Sequence, residues 1–126
     1  MTVAIVALGG ALGAVMRYLL TAAAFRWFGP GFPWGTLGVN VVGSFAMGVL
    51  GVLLMERLPG SWRAAAPFAL TGVLGGFTTF SAFSLDVWLL LERGRTALAA
   101  AYAGSAVVLS VAALALGVAL ARSVAS

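Results

Sequence analysis

The sequence predicts an all-α integral membrane protein with four transmembrane helices. Of its 126 residues, 63% are hydrophobic and only 8% are charged, which is far more apolar than a soluble domain. Four apolar segments, at residues 3–25, 34–55, 64–91 and 96–121, each reach the roughly 20 residues that a spanning helix needs. We therefore expect residues 1–126 to form a single four-helix transmembrane domain in a lipid bilayer, with no separate soluble domain.

The composition excludes several other classes of function. Cysteine and histidine are absent, which removes disulfides and the commonest transition-metal ligands. The acids are Glu56, Asp86 and Glu92, too few for us to expect an enzyme. The net charge of +4 comes from scattered arginines, a pattern that does not favour nucleic-acid binding. No basic residue precedes Arg17, so the first segment lacks the charged start of a signal peptide.

The arginines outside the apolar segments are balanced between the two sides of the membrane. Short links make neighbouring helices antiparallel, which places both termini on one side. That side carries Arg57, Arg63 and Arg122, and the opposite side carries Arg26, Arg93 and Arg95. The balance has two interpretations: an orientation bias too weak to count, or insertion in both orientations with pairing to an inverted copy of the same chain.

Small residues recur four positions apart and therefore lie on single helix faces. The pairs are Gly9 and Gly13, Gly10 and Ala14, Ser44 and Gly48, and Gly72 and Gly76. Such faces allow helices to approach closely, either within one chain or between two chains. Four helices are few for building a pathway, which favours an oligomer.

Polar side chains stand inside the first two apolar segments. Arg17 either extends to the membrane interface or stays buried as a positive charge that attracts anions. On the second segment, Thr36, Asn40 and Ser44 recur every four residues and form one polar stripe. Because a carboxamide inside a membrane needs a partner, Asn40 either bonds to another helix or lines a pore or binding site.

The third segment contains the stretch GVLGGFTTFSAFS, residues 72–84. Gly75 and Gly76 are poor helix formers, and four nearby hydroxyl groups compete for backbone hydrogen bonds. They belong to Thr78, Thr79, Ser81 and Ser84. The stretch indicates either a helix broken inside the membrane or a kinked, continuous one. In a broken helix, free carbonyls can bind a cation and free amides can attract an anion.

Phe80 and Phe83 lie three positions apart, so they project from the same helix face. One interpretation is ordinary packing against lipid or other helices. The other is that their ring edges, which carry positive potential, contact an anion without presenting a full charge. Contact of that kind suits a pathway that must bind an anion and release it.

Three segments together resemble the signature segments of the Fluc, or CrcB-type, bacterial fluoride channels. They are GGALGAVMRY at 9–18, WGTLGVNVVGSFAMG at 34–48 and GVLGGFTTFSAFS at 72–84. The resemblance implies a passive, selective fluoride channel that exports cytoplasmic fluoride across the bacterial plasma (inner) membrane. It also implies an antiparallel, dual-topology homodimer with two pores, a third helix broken mid-membrane and a structural sodium ion (Na+) at the dimer interface.

The resemblance also assigns roles to individual residues. Backbone carbonyls of Gly75 and Thr78 would bind the sodium ion. The fluoride pathway would include Asn40, Phe80, Phe83, Ser81, Thr79, Thr36 and Arg17. Many members of the family read FSTF where this chain has Ala82 at the third position, so one hydroxyl of the family is missing here. On the fourth segment, polar positions that could extend the track are Tyr102, Ser105 and Ser110.

Two functions from other classes, and one other assembly, remain open at this point. A proton-driven exporter of drugs or metabolites would need a carboxylate at the membrane centre, and the sequence places none clearly there. A structural subunit of a larger complex would not transport ions when purified alone. A heterodimer with a homologous subunit is the alternative to the homodimer.

Overall fold

The computed structural model describes residues 1–125 as an all-helical chain. Its α-helices are α1 (Thr2–Phe28), α2 (Trp34–Val52), α3 (Gly75–Phe77), α4 (Phe80–Glu92) and α5 (Thr96–Ala125). Wider, π-helical turns continue α2 over Leu53–Arg57 and precede α3 over Pro67–Leu74, and a 3₁₀ segment covers Gly60–Ala65. Helical segments therefore account for most of residues 1–125.

Within residues 1–125, four helical stretches are long and apolar enough to cross a membrane. They are the first span (Thr2–Phe28), the second span (Trp34–Arg57), the third span (Gly60–Glu92) and the fourth span (Thr96–Val124). The predicted all-helical fold with four membrane-spanning helices is confirmed to that extent. The third span begins before the predicted residue 64 because the 3₁₀ segment precedes it.

Tight loops connect the spans. Gly29 ends α1 with a φ of 75°, and its amide donates to the Phe25 carbonyl at 2.8 Å. Gly94 makes the turn between α4 and α5 at the same φ of 75°. Only glycine adopts this left-handed conformation without a steric cost, so glycine allows both spans to end abruptly. Pro33 stands immediately before α2.

An ion pair joins the ends of the second and fourth spans. Arg122 Nη2 lies 3.0 Å from Glu56 Oε2, and Arg122 Nε donates to Glu56 Oε1 at 3.3 Å. Both side chains are about half exposed, so water and salt screen this pair and it adds little to stability. It does place the end of α5 beside the end of the second span, as short antiparallel links require.

Glycine faces allow the spans to pack closely within one chain. The first span packs along Pro67–Phe77 and α2 packs along α5. A methyl group added to Gly13 would overlap the Val73 carbonyl and lie 2.8 Å from the Phe77 amide nitrogen. Gly48 faces the backbone of α5 at Leu114 in the same way. Close packing inside the chain therefore accounts for several of the small residues noted in the sequence: Gly9, Gly13, Gly48, Gly72 and Gly76.

The outer surface of the single chain is apolar. Between 11% and 33% of the most apolar window of each span is buried. Five of the buried apolar residues pack together as one small cluster: Leu37, Leu90, Ala99, Tyr102 and Ala106. Most apolar side chains therefore point outward, where lipid or another helix can cover them.

Candidate functional site

The third span changes conformation at two threonines. The helical backbone stops at Phe77 and resumes at Phe80, while Thr78 (ψ 157°) and Thr79 (φ −153°, ψ 126°) are extended. Thr79 Oγ1 accepts a hydrogen bond from the Ala82 amide at 3.1 Å. Thr79 is thus the N-cap of α4, a position that favours threonine because its hydroxyl satisfies an amide at the helix start.

Asn40 of α2 forms two hydrogen bonds to Thr79, the second of the extended residues. Its Oδ1 accepts from the Thr79 amide at 2.8 Å, and its Nδ2 donates to the Thr79 carbonyl at 2.9 Å. One carboxamide therefore bonds to both backbone groups of Thr79, which requires a donor and an acceptor on the same side chain. The remaining N–H of Nδ2 is a further donor at the same place.

Arg17 of α1 lies against another side of the helix interruption, which consists of Thr78 and Thr79. Its Nε donates to the Gly76 carbonyl at 3.1 Å, and the side chain is partly buried. In a continuous α-helix, that carbonyl would accept a bond from the amide of Phe80, four residues later. Arg17 therefore supplies a bond that the extended threonines have removed, and it places a positive charge beside them.

The carbonyls of Gly75 and Thr78 suit a cation. In a continuous helix they would bond to the amides of Thr79 and Ala82, which here donate to Asn40 and to the Thr79 hydroxyl instead. Within residues 1–125, no group of three or more histidine, cysteine or acidic side chains could hold a metal ion. Carbonyls at an unwound stretch are ligands that Na⁺ accepts, so the residues present fit a sodium ion held by the backbone.

A groove with a volume of about 440 Å³ runs beside the extended threonines. Four residues of the expected fluoride pathway line it: Asn40, Thr79, Phe80 and Phe83. The rings of Phe80 and Phe83 lie 5.6 Å apart, with their planes inclined by 44°. Ser110 of α5 also lines the groove. An amide donor, a hydroxyl and two aromatic rings therefore meet in one elongated space.

The other expected pathway residues lie around this groove. The Ser81 hydroxyl is 3.2 Å from the Thr79 hydroxyl and is exposed. Thr36 is buried and lines a separate cavity. Ser105 donates to the carbonyl of Ala101 on its own helix at 2.7 Å. The residues expected in the fluoride pathway therefore lie in three places: the groove, the helix interruption and a second cavity.

That second cavity, of about 230 Å³, lies where the first and third loops meet. Thr36, Asp86 and Arg93 are among its lining residues. Asp86 accepts a hydrogen bond from the Tyr102 hydroxyl at 3.1 Å. The Tyr102 ring is fully buried and lies 5.2 Å from the Phe83 ring. Tyr102 therefore connects Asp86, in a wall of the cavity, to Phe83, in a wall of the groove. Sequence reasoning missed this link because Tyr102 lies on α5 and the other two residues lie on α4.

Four apolar spans with polar groups gathered at one helix interruption define a small multi-pass membrane protein. The chain belongs to the CrcB family. The family model described as "CrcB-like protein, Camphor Resistance (CrcB)" matches residues 4–118.

Relatives of high similarity carry one common name, "Fluoride-specific ion channel FluC". The relative from Cereibacter sphaeroides (strain ATCC 17029 / ATH 2.4.9) is 59% identical over 117 residues, which cover 93% of this chain and 91% of the relative. The relative from Ruegeria sp. (strain TM1040) is 53% identical over 124 residues, covering 98% and 96%. That from Agrobacterium fabrum (strain C58 / ATCC 33970) is 52% identical over 121 residues, covering 96% of both chains. The family resemblance is confirmed, and the names describe ion channels rather than enzymes.

Proposed function

We propose that this chain is a passive, selective fluoride channel. The observation that carries the proposal is the groove in which the Asn40 amide and the rings of Phe80 and Phe83 meet beside the extended threonines. The relatives named as fluoride-specific channels support the choice of ion. In the membrane, the extended threonines would form the break in the third helix.

Fluoride is small and strongly hydrated, so compact donors must replace its water. The second N–H of Asn40 and the hydroxyls of Thr79 and Ser81 are such donors. Ring edges of Phe80 and Phe83 add positive potential without a formal charge. Arg17 attracts anions while its Nε donates to the Gly76 carbonyl. Moderate contacts of this kind allow an ion to enter and also to leave.

The direction of transport follows from the membrane potential. Hydrogen fluoride crosses membranes as a neutral acid and ionises in the less acidic cytoplasm, which traps the anion. A potential that is negative inside drives fluoride out by about 2.3 kcal/mol per charge for each 100 mV. A passive channel in the bacterial plasma membrane would therefore lower cytoplasmic fluoride with no pump.

The assembly we propose is an antiparallel homodimer with two pathways. Phe80 is 78% exposed on the single chain although it lines the groove, so a second copy could cover it. The balance of loop arginines suits a partner inserted in the inverted orientation. The carbonyls of Gly75 and Thr78 would then hold a structural sodium ion between the two copies, where its charge would neutralise the dipoles of both interruptions.

The decisive experiment is fluoride efflux from liposomes that contain only the purified chain. A fluoride electrode would follow efflux under a potassium diffusion potential, with chloride as the control anion. We expect rapid loss of fluoride without loss of chloride. Absence of flux from correctly folded protein would contradict an autonomous homodimeric channel, and co-expression with a homologous chain would then test the heterodimer.

Substituting either groove phenylalanine should suppress fluoride flux. Phe80→Ile and Phe83→Ile keep an apolar side chain but remove the polarised ring edge. We expect about a tenfold or larger decrease, which corresponds to ~1.4 kcal/mol at the barrier. Phe68→Ile, in the half of the third span before the interruption, is the matched control and should conduct like the parent. Parent-level flux in both groove variants would exclude the ring edges from the pathway.

Exchange of sodium for a much larger cation should reduce flux or dissociate the dimer. The carbonyls of Gly75 and Thr78 are fixed to the backbone and cannot retreat to fit a bulky organic ion. Fluoride flux and the oligomeric state would be measured after purification in N-methyl-D-glucamine, with bound sodium determined by atomic emission. Full flux from a dimer that contains no sodium would refute the cation site.

A further inference from the structure

Phe32 lies in the loop between α1 and α2, outside every segment that sequence reasoning connected with transport. Its ring is 5.4 Å from the Tyr102 ring at an interplanar angle of 86°, an edge-to-face contact. On the other side, its ring lies 4.6 Å from that of Trp34. The Trp34 amide donates to the Phe32 carbonyl at 2.8 Å. Contacts with Trp34 at the start of α2 therefore fix Phe32, and its ring packs against Tyr102.

Tyr102 has little freedom to move on its own. It is fully buried, its hydroxyl donates to Asp86, and its ring lies 5.2 Å from Phe83. Buried rings in a close-packed core transmit displacement, because no empty space absorbs it. The rings of Trp34, Phe32, Tyr102, Phe83 and Phe80 form a continuous aromatic row with centroid distances between 4.6 and 5.6 Å. The row runs from the first loop to the groove.

We propose that Phe32 is a positioning residue that sets the orientation of Phe83 in the groove by acting through Tyr102. This inference rests on the proposed function. Without the Phe32 ring, Tyr102 can tilt toward the first loop while its hydroxyl stays on Asp86. The Phe83 ring then loses its support on the side away from the groove, and its edge no longer faces the ion path.

Two variants separate this role from general packing of the loop. Phe32→Ala removes the ring that touches Tyr102. Phe28→Ala removes a neighbouring ring that contacts Trp34 at 5.9 Å and stands one ring further from Tyr102. Phe32→Tyr restores an aromatic edge, and Phe32→Leu keeps the protein folded if the alanine variant does not assemble.

Fluoride efflux and the environment of Phe83 would be measured on the same full-length protein in liposomes. 4-Fluorophenylalanine placed at position 83 reports the environment of that ring by ¹⁹F NMR. We expect Phe32→Ala and Phe32→Leu to lower flux about threefold to tenfold, the range that loss of one aromatic pair gives. The Phe83 resonance should shift in both. Phe28→Ala and Phe32→Tyr should retain parental flux and resonance.

The outcomes distinguish this inference from the proposed function. Absence of fluoride flux from the parent chain would contradict the proposed function, regardless of any shift of the Phe83 resonance. With a conducting parent, parental flux in Phe32→Ala or Phe32→Leu would overturn the positioning role. Reduced flux with an unshifted Phe83 resonance would also overturn it, because the loss would then arise elsewhere.

Discussion

Asn40→Asp should abolish fluoride flux and destabilise the fold. The new carboxylate can still accept from the Thr79 amide, but it faces the Thr79 carbonyl, to which Asn40 Nδ2 donates at 2.9 Å. Two oxygen acceptors then oppose each other in a partly buried site. The lost hydrogen bond costs about 0.5–1.5 kcal/mol, and a partly buried charge that faces a carbonyl oxygen costs more. The same charge would repel an anion in the groove, through which we propose that fluoride passes.

Two further variants separate the charge from the lost hydrogen bond. Ser44→Asp places a carboxylate on the same groove one helical turn further along α2, without touching the Asn40 bonds. Asn40→Ala removes both bonds to Thr79 without adding a charge. We expect Ser44→Asp to lower flux and to cost less thermal stability than Asn40→Asp, because it adds the charge but keeps the bonds to Thr79, and we expect Asn40→Ala to lower both flux and stability. Parental flux in Asn40→Asp would exclude this amide from the pathway.

Gly13→Ala should separate the first span from the third. The added methyl group would overlap the Val73 carbonyl and lie 2.8 Å from the Phe77 amide nitrogen, both of which are backbone atoms that cannot rotate away. Overpacking of this kind costs about 1–3 kcal/mol, occasionally more. Arg17 lies one turn further along α1, so its bond to the Gly76 carbonyl should lengthen and the interruption should lose a partner.

Thermal unfolding in detergent and fluoride efflux would both report this change. Gly51→Ala is the control, because the position is helical and a methyl group there meets nothing within 4 Å. At such a position alanine should hold or raise stability by about 0.4–1 kcal/mol. Equal melting temperatures for the Gly13 and Gly51 variants would show that the helices accommodate the methyl group.

The four spans could be predicted from the sequence because mean hydropathy over about 20 residues is a local property. The importance of Asn40 was also visible, since a carboxamide in an apolar segment requires a partner. The identity of that partner was not visible. The bond to Thr79 joins residues 39 positions apart, and its geometry depends on how the second and third spans pack.

The polar stripe of α2 illustrates the same limit. Thr36, Asn40 and Ser44 share one helix face, and each step of four residues advances about 6 Å along the axis. At successive depths that face meets different neighbours. Thr36 lies in the cavity near the loops, Asn40 reaches the extended threonines and Ser44 lines the groove. Helical periodicity places the three residues on one face but could not predict what stands opposite each position.

Phe32 was invisible to sequence reasoning for a different reason. It stands in a loop between Gly31 and Pro33, where no helical or strand period applies. The role that we propose for Phe32 depends on its contact with the buried Tyr102, 70 positions later in the chain. Only the folded structure brings the two rings together.

The two side chains that bond to the backbone at and beside the extended threonines are made before that backbone during synthesis. Arg17 and Asn40 both precede the third span in the chain. When Gly76 and Thr79 emerge, the first two spans have already been made, so donors for the exposed backbone are in place as the third span enters the bilayer. An unwound backbone that would be costly in hydrocarbon can thus be accommodated by side chains of the same chain.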